Sequence, residues 1–171
     1  MNKVLIYLGT SNENKQIIED IFNQIGVKIS FIGDNDLDNT LKELLETSRE
    51  EYKIGNRNPF MYIDGNDKNE IKNLESILRN NNVNIERQAL KTKTNIGWTL
   101  RELMDEIDEE FEYFKLRDHL YHLIMNPDKE KIVRDRDYLK LMSMAFSLLE
   151  DESVEKNIIE IAIKTIENYK K

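Results

Sequence analysis

Few side chains in this 171-residue sequence have the type and spacing to do chemistry. Its two histidines, His119 and His122, are spaced i, i+3 with Asp118 nearby. On a helix they share a face and could hold a metal, but the Glu-x-x-His pair of bundle di-iron sites is absent, so they read as partly exposed helix residues. Lys91, Lys93, Thr94 and Asn95 precede a helix start, where free backbone donors and the dipole favour an anion, although no glycine-rich phosphate loop accompanies them. Asp34 to Asn39 places oxygen ligands at alternating positions like the start of a calcium loop. It lacks the glycine at the sixth position and the glutamate at the twelfth, so these acids read as helix-start chemistry. Asp64, at the end of an apolar run, would suit a receiver-type metal site only with an acidic pair after the first strand. Gly9-Thr10-Ser11 supplies none. With no cysteine and no Gly-x-Ser-x-Gly elbow, a nucleophilic triad has nothing to build on. The expectation is no catalytic residue, no metal and no cofactor.

A net charge of −8 argues against nucleic acid, whose binding needs clustered Lys and Arg. The absence of an apolar run of helix-spanning length, and of a signal-like start, argues against a membrane. Zero Cys excludes a disulfide framework and is compatible with a reducing cytosol, so cytoplasmic is the default location. A chain this long buries a core without metal or disulfide.

The elements that would position these residues come in a repeated order. Val4-Leu5-Ile6-Tyr7-Leu8 is apolar throughout, as a strand buried on both faces is, and Gly9-Thr10-Ser11-Asn12 is a polar turn. Ile17, Ile18, Ile21, Phe22 and Ile25 form a helical stripe ended by Gly26. Val27 to Phe31 alternates like a half-exposed strand, and Thr40-Leu41-Lys42-Glu43 is a capping box. The same signals return as the apolar run Phe60 to Ile63, the turn Asp64 to Asp67, the stripe Ile71, Leu74, Ile77, Leu78, the stop Asn80-Asn81-Asn82, the alternation Val83 to Glu86, and Thr99-Leu100-Arg101-Glu102. The capping boxes lie 59 apart and Val27 and Val83 lie 56 apart, a drift of one longer loop. Thr47 to Pro59 reads as the linker. Beyond Asp105 the pattern is helical: through Leu123 to a break at Asn126-Pro127, then Lys129 to Glu150, then Val154 to Tyr169. The acidic run Asp105 to Glu112 reads as the wet face of a helix carrying Ile107 and Phe111.

These signals predict an α/β fold of tandem βαβα repeats, copies at about 3–46 and 59–105. They would form a four-stranded parallel sheet of order 2-1-3-4 with helices on both faces and a two-fold axis along the strands. Residues 1–105 make that domain, and 106–171 make C-terminal helices packed on it or forming a helical subdomain. In a parallel sheet ligands sit beyond the carboxyl ends of the strands at the switch point. That places a cleft between Gly9-Thr10-Ser11-Asn12 and Asp64 to Asp67, with Asn66, Lys91, Lys93, Thr94 and Asn95 as helpers.

The segment Thr92-Lys93-Thr94-Asn95-Ile96-Gly97-Trp98-Thr99-Leu100-Arg101-Glu102-Leu103 resembles the T-x-T-N-x-x-W-T-L-x-E-L signature of a bacterial family of unknown function. The resemblance covers about Met61 to Ile107, implies an αβ unit and transfers no activity. In the first copy Asn39 stands for Trp98 and the T-x-T-N run is missing. Trp98, just before the Thr99 cap, reads as a hydrophobic staple with Leu103.

Function follows as two alternatives. One is a non-catalytic interaction or regulatory module whose C-terminal helices bind a protein partner or a second copy. The other is a small-molecule or nucleotide (anion) binding protein using the loops at the carboxyl ends of the strands.

Overall fold

A computed structural model describes residues 1–47 and 51–169, so Ser48, Arg49 and Glu50 of the expected linker lie outside the described residues. The chain divides into two compact units, Met1–Asp108 and Glu109–Lys171.

In the first unit, β1 (Lys3–Tyr7), β2 (Lys28–Ile32), β3 (Phe60–Asp64) and β4 (Arg87–Leu90) form one sheet in the order β2-β1-β3-β4. The order agrees with the expectation, but the sheet is mixed. β1–β2 and β3–β4 are parallel, whereas β1 and β3 run antiparallel with Leu5 opposite Tyr62. The expected all-parallel sheet is therefore corrected, and the reason lies in the linker. At the amino end of β1, the Lys3 ammonium donates to the carbonyls of Leu44, Leu45 and Thr47 at 3.1, 3.0 and 2.7 Å. At the carboxyl end of β2, the Asp34 N–H donates to the Lys53 carbonyl at 2.9 Å. The linker thus returns the chain to the carboxyl end, and β3 enters the sheet from there.

Helices α1 (Lys15–Ile25) and α3 (Lys68–Asn80) cover one face, their Ile18, Phe22, Leu74 and Leu78 packing on Val4, Ile6, Met61 and Ile63. On the other face, α2 (Leu41–Glu46) and the first turns of α4 (Leu100–Met125) pack Leu41, Leu44, Leu100 and Leu103 on Leu5, Tyr7, Phe60 and Tyr62. Equivalent helices sharing a face, with antiparallel central strands, place the pseudo-two-fold perpendicular to the sheet rather than along the strands. The register has this symmetry. An offset of 57 maps β1 onto β3 and leaves the Leu5–Tyr62 pair in place, while an offset of 59 maps β2 onto β4. The same dyad passes the bridge Thr40–Thr99, where Leu41 N–H donates to Trp98 O at 2.9 Å and Leu100 N–H to Asn39 O at 3.0 Å.

α1 and α3 end alike, at Gly26 with φ 69° and Asn82 with φ 58°, the left-handed stop expected at both. The strand expected at Val83 to Glu86 is corrected to Arg87–Leu90. Val83 and Ile85 are buried, but as loop residues beneath α3 in the core of that face, so their alternation marks burial rather than pairing.

In the second unit, the helix expected over Lys129 to Glu150 is broken into α5 (Lys129–Arg134) and α6 (Arg136–Glu150), because Asp135 accepts from the N–H groups of Asp137 and Tyr138 and caps α6. α7 spans Lys156–Glu167. Leu120, Tyr138, Met142, Ile159 and Ile163 form the core. No helix among the described residues is long and apolar enough to cross a membrane.

Candidate functional site

The antiparallel β1–β3 pair sends the carboxyl ends of β1 and β3 to opposite ends of the sheet. Gly9 to Asn12 and Asp64 to Asp67 therefore form no common cleft, and the expected site separates into two half-sites that the dyad relates.

The half-site beyond β1 and β2 is covered. Gly9–Asn14 is a 3-10 turn in which Ser11 N–H donates to Leu8 O at 2.9 Å, Gly9 is buried and Thr10 is exposed. Residues 52–58 lie across it as a strap. The Tyr52 hydroxyl donates to Asn12 Oδ1 at 2.8 Å, and Lys53 N–H donates to Asn35 Oδ1 at 2.6 Å. Arg57 pairs with Asp105 at 2.6 Å. The Tyr7 hydroxyl donates to Asp34 Oδ1 at 2.6 Å, and burial, then Asp34, pushes the Tyr7 phenol up to about 12. Gly33 and Gly55 permit the close crossing: a Cβ on Gly33 would overlap the Lys53 backbone, and one on Gly55 would overlap both the Tyr7 hydroxyl and Asp34.

The half-site beyond β3 and β4 is an open hollow of about 370 Å³, lined by Asn2, Asp64, Asn66, Lys91, Thr92 and Lys93 among others. Of the ten candidate residues, Asp64, Asn66, Lys91 and Lys93 thus meet. Lys91 Nζ lies 3.0 Å from Asp64 Oδ1, and burial, then Asp64, pushes the neighbouring Tyr62 phenol up to about 12.

The Asn95 side chain is engaged in the loop itself. Its Oδ1 accepts from the Tyr62 hydroxyl and the Thr92 N–H, both at 2.8 Å, its Nδ2 donates to Leu90 O at 2.9 Å, and its N–H donates to Thr92 Oγ1 at 3.0 Å. Thr94 is exposed beside it. The signature is therefore fold chemistry. Thr99 and Glu102 fill the first donors of α4, with Thr99 N–H to Glu102 Oε2 at 2.8 Å and Glu102 N–H to Thr99 Oγ1 at 3.2 Å, and Trp98 and Leu103 join the core of that face. The Leu100 and Arg101 N–H groups donate to Asn39 O at 3.0 Å and Leu37 O at 2.9 Å, so the first donors of α4 are all taken within the fold. The loop after β2 makes one matching bond at the offset of 59: Asp36 Oδ2 accepts from Gly33 N–H at 3.0 Å, as Asn95 accepts from Thr92.

The remaining candidates lie beside carboxylates. Exposed His119 lies 3.3 Å from Glu167 and His122 3.5 Å from Asp118, and among the described residues no cluster of three ligating groups could hold a metal. The acidic run is not only a wet face, since Asp105 pairs with Arg57 and Asp108 with Arg87.

A second surface went unread in the sequence. Between α6 and α7, Leu141, Met144, Ala145 and Leu148 face Ile158, Ile161, Ala162 and Thr165 around a groove of about 470 Å³. Met144 is 61% exposed and Ile161 59%. Its signal was a second stripe at i, i+3, i+4, i+7 on each helix, apolar except at Thr165, beside the inward one.

The first unit is thus a mixed α/β sheet with a pseudo-two-fold and one open end. Residues 59–114, about a third of the chain, match the family described as "Domain of unknown function (DUF3783)", which covers the second half of that unit and the signature within it. No curated protein and no solved structure matches the chain.

Proposed function

We propose that this chain is a non-catalytic interaction module of the cytoplasm, its α/β unit a duplicated scaffold and its helical unit the docking surface. The observation that carries the reading is the groove between α6 and α7. The five residues between the helices hold them as an antiparallel pair, and Ala145 and Ala162 form a shallow floor between walls of Leu, Met and Ile. Such a trough fits the apolar face of a third helix, from a second copy or from another protein. Exposed apolar side chains gathered in this way mark an interaction surface, whereas singly scattered ones do not.

Light scattering on the full chain and selection of amphipathic helical peptides against it test the reading. Met144→Lys and Ile161→Lys, both at exposed positions, should keep the helical circular dichroism and abolish self-association or peptide capture. A wild-type monomer that captures no helix would count against it. The second reading, an anionic small molecule or nucleotide in the hollow, is supported by Lys91 and Lys93 lining it. A thermal-shift screen checks it, since a ligand at 100 times its Kd adds about 2.7 kcal/mol.

A further inference from the structure

The strap that covers one half-site shows what the open one is shaped to receive. Residues 52–58 touch the first half at Tyr7, Gly9, Gly33 and Asp34: Gly55 lies against the Tyr7 hydroxyl and Asp34, the Arg57 carbonyl against Gly9, and the Lys53 backbone against Gly33 and Asp34. The register offsets carry these four positions to Asp64, Asn66, Thr92 and Lys93. All four line the open hollow.

Two further positions agree. Tyr52 stacks on Phe31 with ring centroids 5.8 Å apart, and the counterpart of Phe31 is Leu90, which is 42% exposed. The Asp34 N–H binds the strap at Lys53 O, and its counterpart, the Lys93 N–H, has no acceptor among the described residues. Met1 and Asn2, the counterparts of Asn58 and Pro59, reach the edge of this hollow, where Asn2 N–H donates to Asp64 O at 2.8 Å and Met1 lies against Gly65, while Asn66, Thr92 and Lys93 are exposed. Charge reverses between the halves. A strap bearing Lys53 and Arg57 lies on a loop bearing Asp34, Asp36 and Asp38, whereas the second loop bears Lys91 and Lys93.

We propose that the hollow beyond β3 and β4 binds an extended, acidic peptide segment of a partner protein, held as the first half holds its own strap. The Lys93 N–H donates to a peptide carbonyl, an apolar side chain of the peptide lies on Leu90, and acidic side chains meet Lys93 and the Lys91–Asp64 pair. Thr92 carries a Cβ where Gly33 has none, so the incoming backbone rides farther from the loop than the strap does.

The probe is a fluorescent peptide of residues 51–59 carrying Lys53→Glu and Arg57→Glu, titrated into the full chain by polarisation and mapped by amide shifts. It should bind and move the resonances of residues 91–95. The unaltered peptide should bind at least about tenfold more weakly, as should the altered peptide to a Lys93→Glu chain, and salt should weaken the altered peptide's binding to the wild-type chain and narrow these differences. Lys93 is exposed and has no partner among the described residues, so the variant tests binding rather than folding. No binding at millimolar peptide, shifts confined elsewhere, or an unchanged Lys93→Glu affinity would each overturn the proposal. Equal displacement by inorganic phosphate would also do so, by showing an anion site alone. The groove between α6 and α7 takes no part, so failure here leaves that reading standing, and failure of the groove variants leaves this one.

Discussion

Replacing Asn95 by alanine separates a fold signature from a binding signature. Asn95→Ala removes three side-chain hydrogen bonds: those to the Tyr62 hydroxyl, the Thr92 N–H and the Leu90 carbonyl. A net bond is worth about 0.5 to 1.5 kcal/mol. The two backbone partners are near solvent and belong at the low end. The Tyr62 hydroxyl is on a buried ring and belongs at the high end, because it would be left without its acceptor. The expected loss is about 2 to 3 kcal/mol. At an m-value of roughly 1 to 3 kcal/mol/M in urea, the midpoint should fall by about 0.7 to 3 M with m unchanged. Asn95→Asp is the control. It keeps the oxygen that accepts from Tyr62 and Thr92 and loses only the donor to Leu90, and the equivalent loop already carries Asp36 at this place. Its cost should be about 1 kcal/mol. An alanine variant within about 0.5 kcal/mol of wild type would refute the reasoning, because the signature would then owe nothing to stability.

Gly55→Ala drives a Cβ into the Tyr7 hydroxyl and Asp34, at an overpacking cost of about 1 to 3 kcal/mol. Tyr7→Phe in the same chain removes one of the two clashing oxygens, so a double-mutant cycle should show favourable coupling of at least about 0.5 kcal/mol; additivity would mean that the strap sits elsewhere. Both Tyr7 and Tyr62 have phenols raised from 10.0 to about 12, with burial the largest cause. The folded state holds these protons more tightly, so the stabilisation is complete below pH 10 and is lost between pH 10 and about 12. Urea midpoints at about pH 9 and pH 11 should differ, with a smaller difference in Tyr62→Phe, and a tyrosinate titration with every phenol near 10 would contradict the assignment.

Local chemistry is what the sequence by itself determined. The Thr40 and Thr99 capping boxes, the stops at Gly26 and Asn82 and the apolar stripes of α1 and α3 are set by neighbours within a few residues, so they were legible. The contrast between the fully apolar runs Val4 to Leu8 and Phe60 to Ile63 and the alternating Val27 to Phe31 and Val83 to Glu86 also placed the central pair correctly, because a strand covered on both faces needs no alternation, even though Val83 to Glu86 is loop and the edge strand is Arg87–Leu90. The direction of β3 was left open by that same contrast, since a strand buried on both faces reads alike in either direction. Tertiary structure decided it. Asn12, Asp34 and Asn35, all far along the chain from β3, hold Tyr52 and Lys53 at the carboxyl end of the first strands and turn β3 around. With that reversal the expected cleft became two half-sites at opposite ends, one closed by the chain itself and one open, a difference that lies in contacts between distant residues rather than in any local pattern.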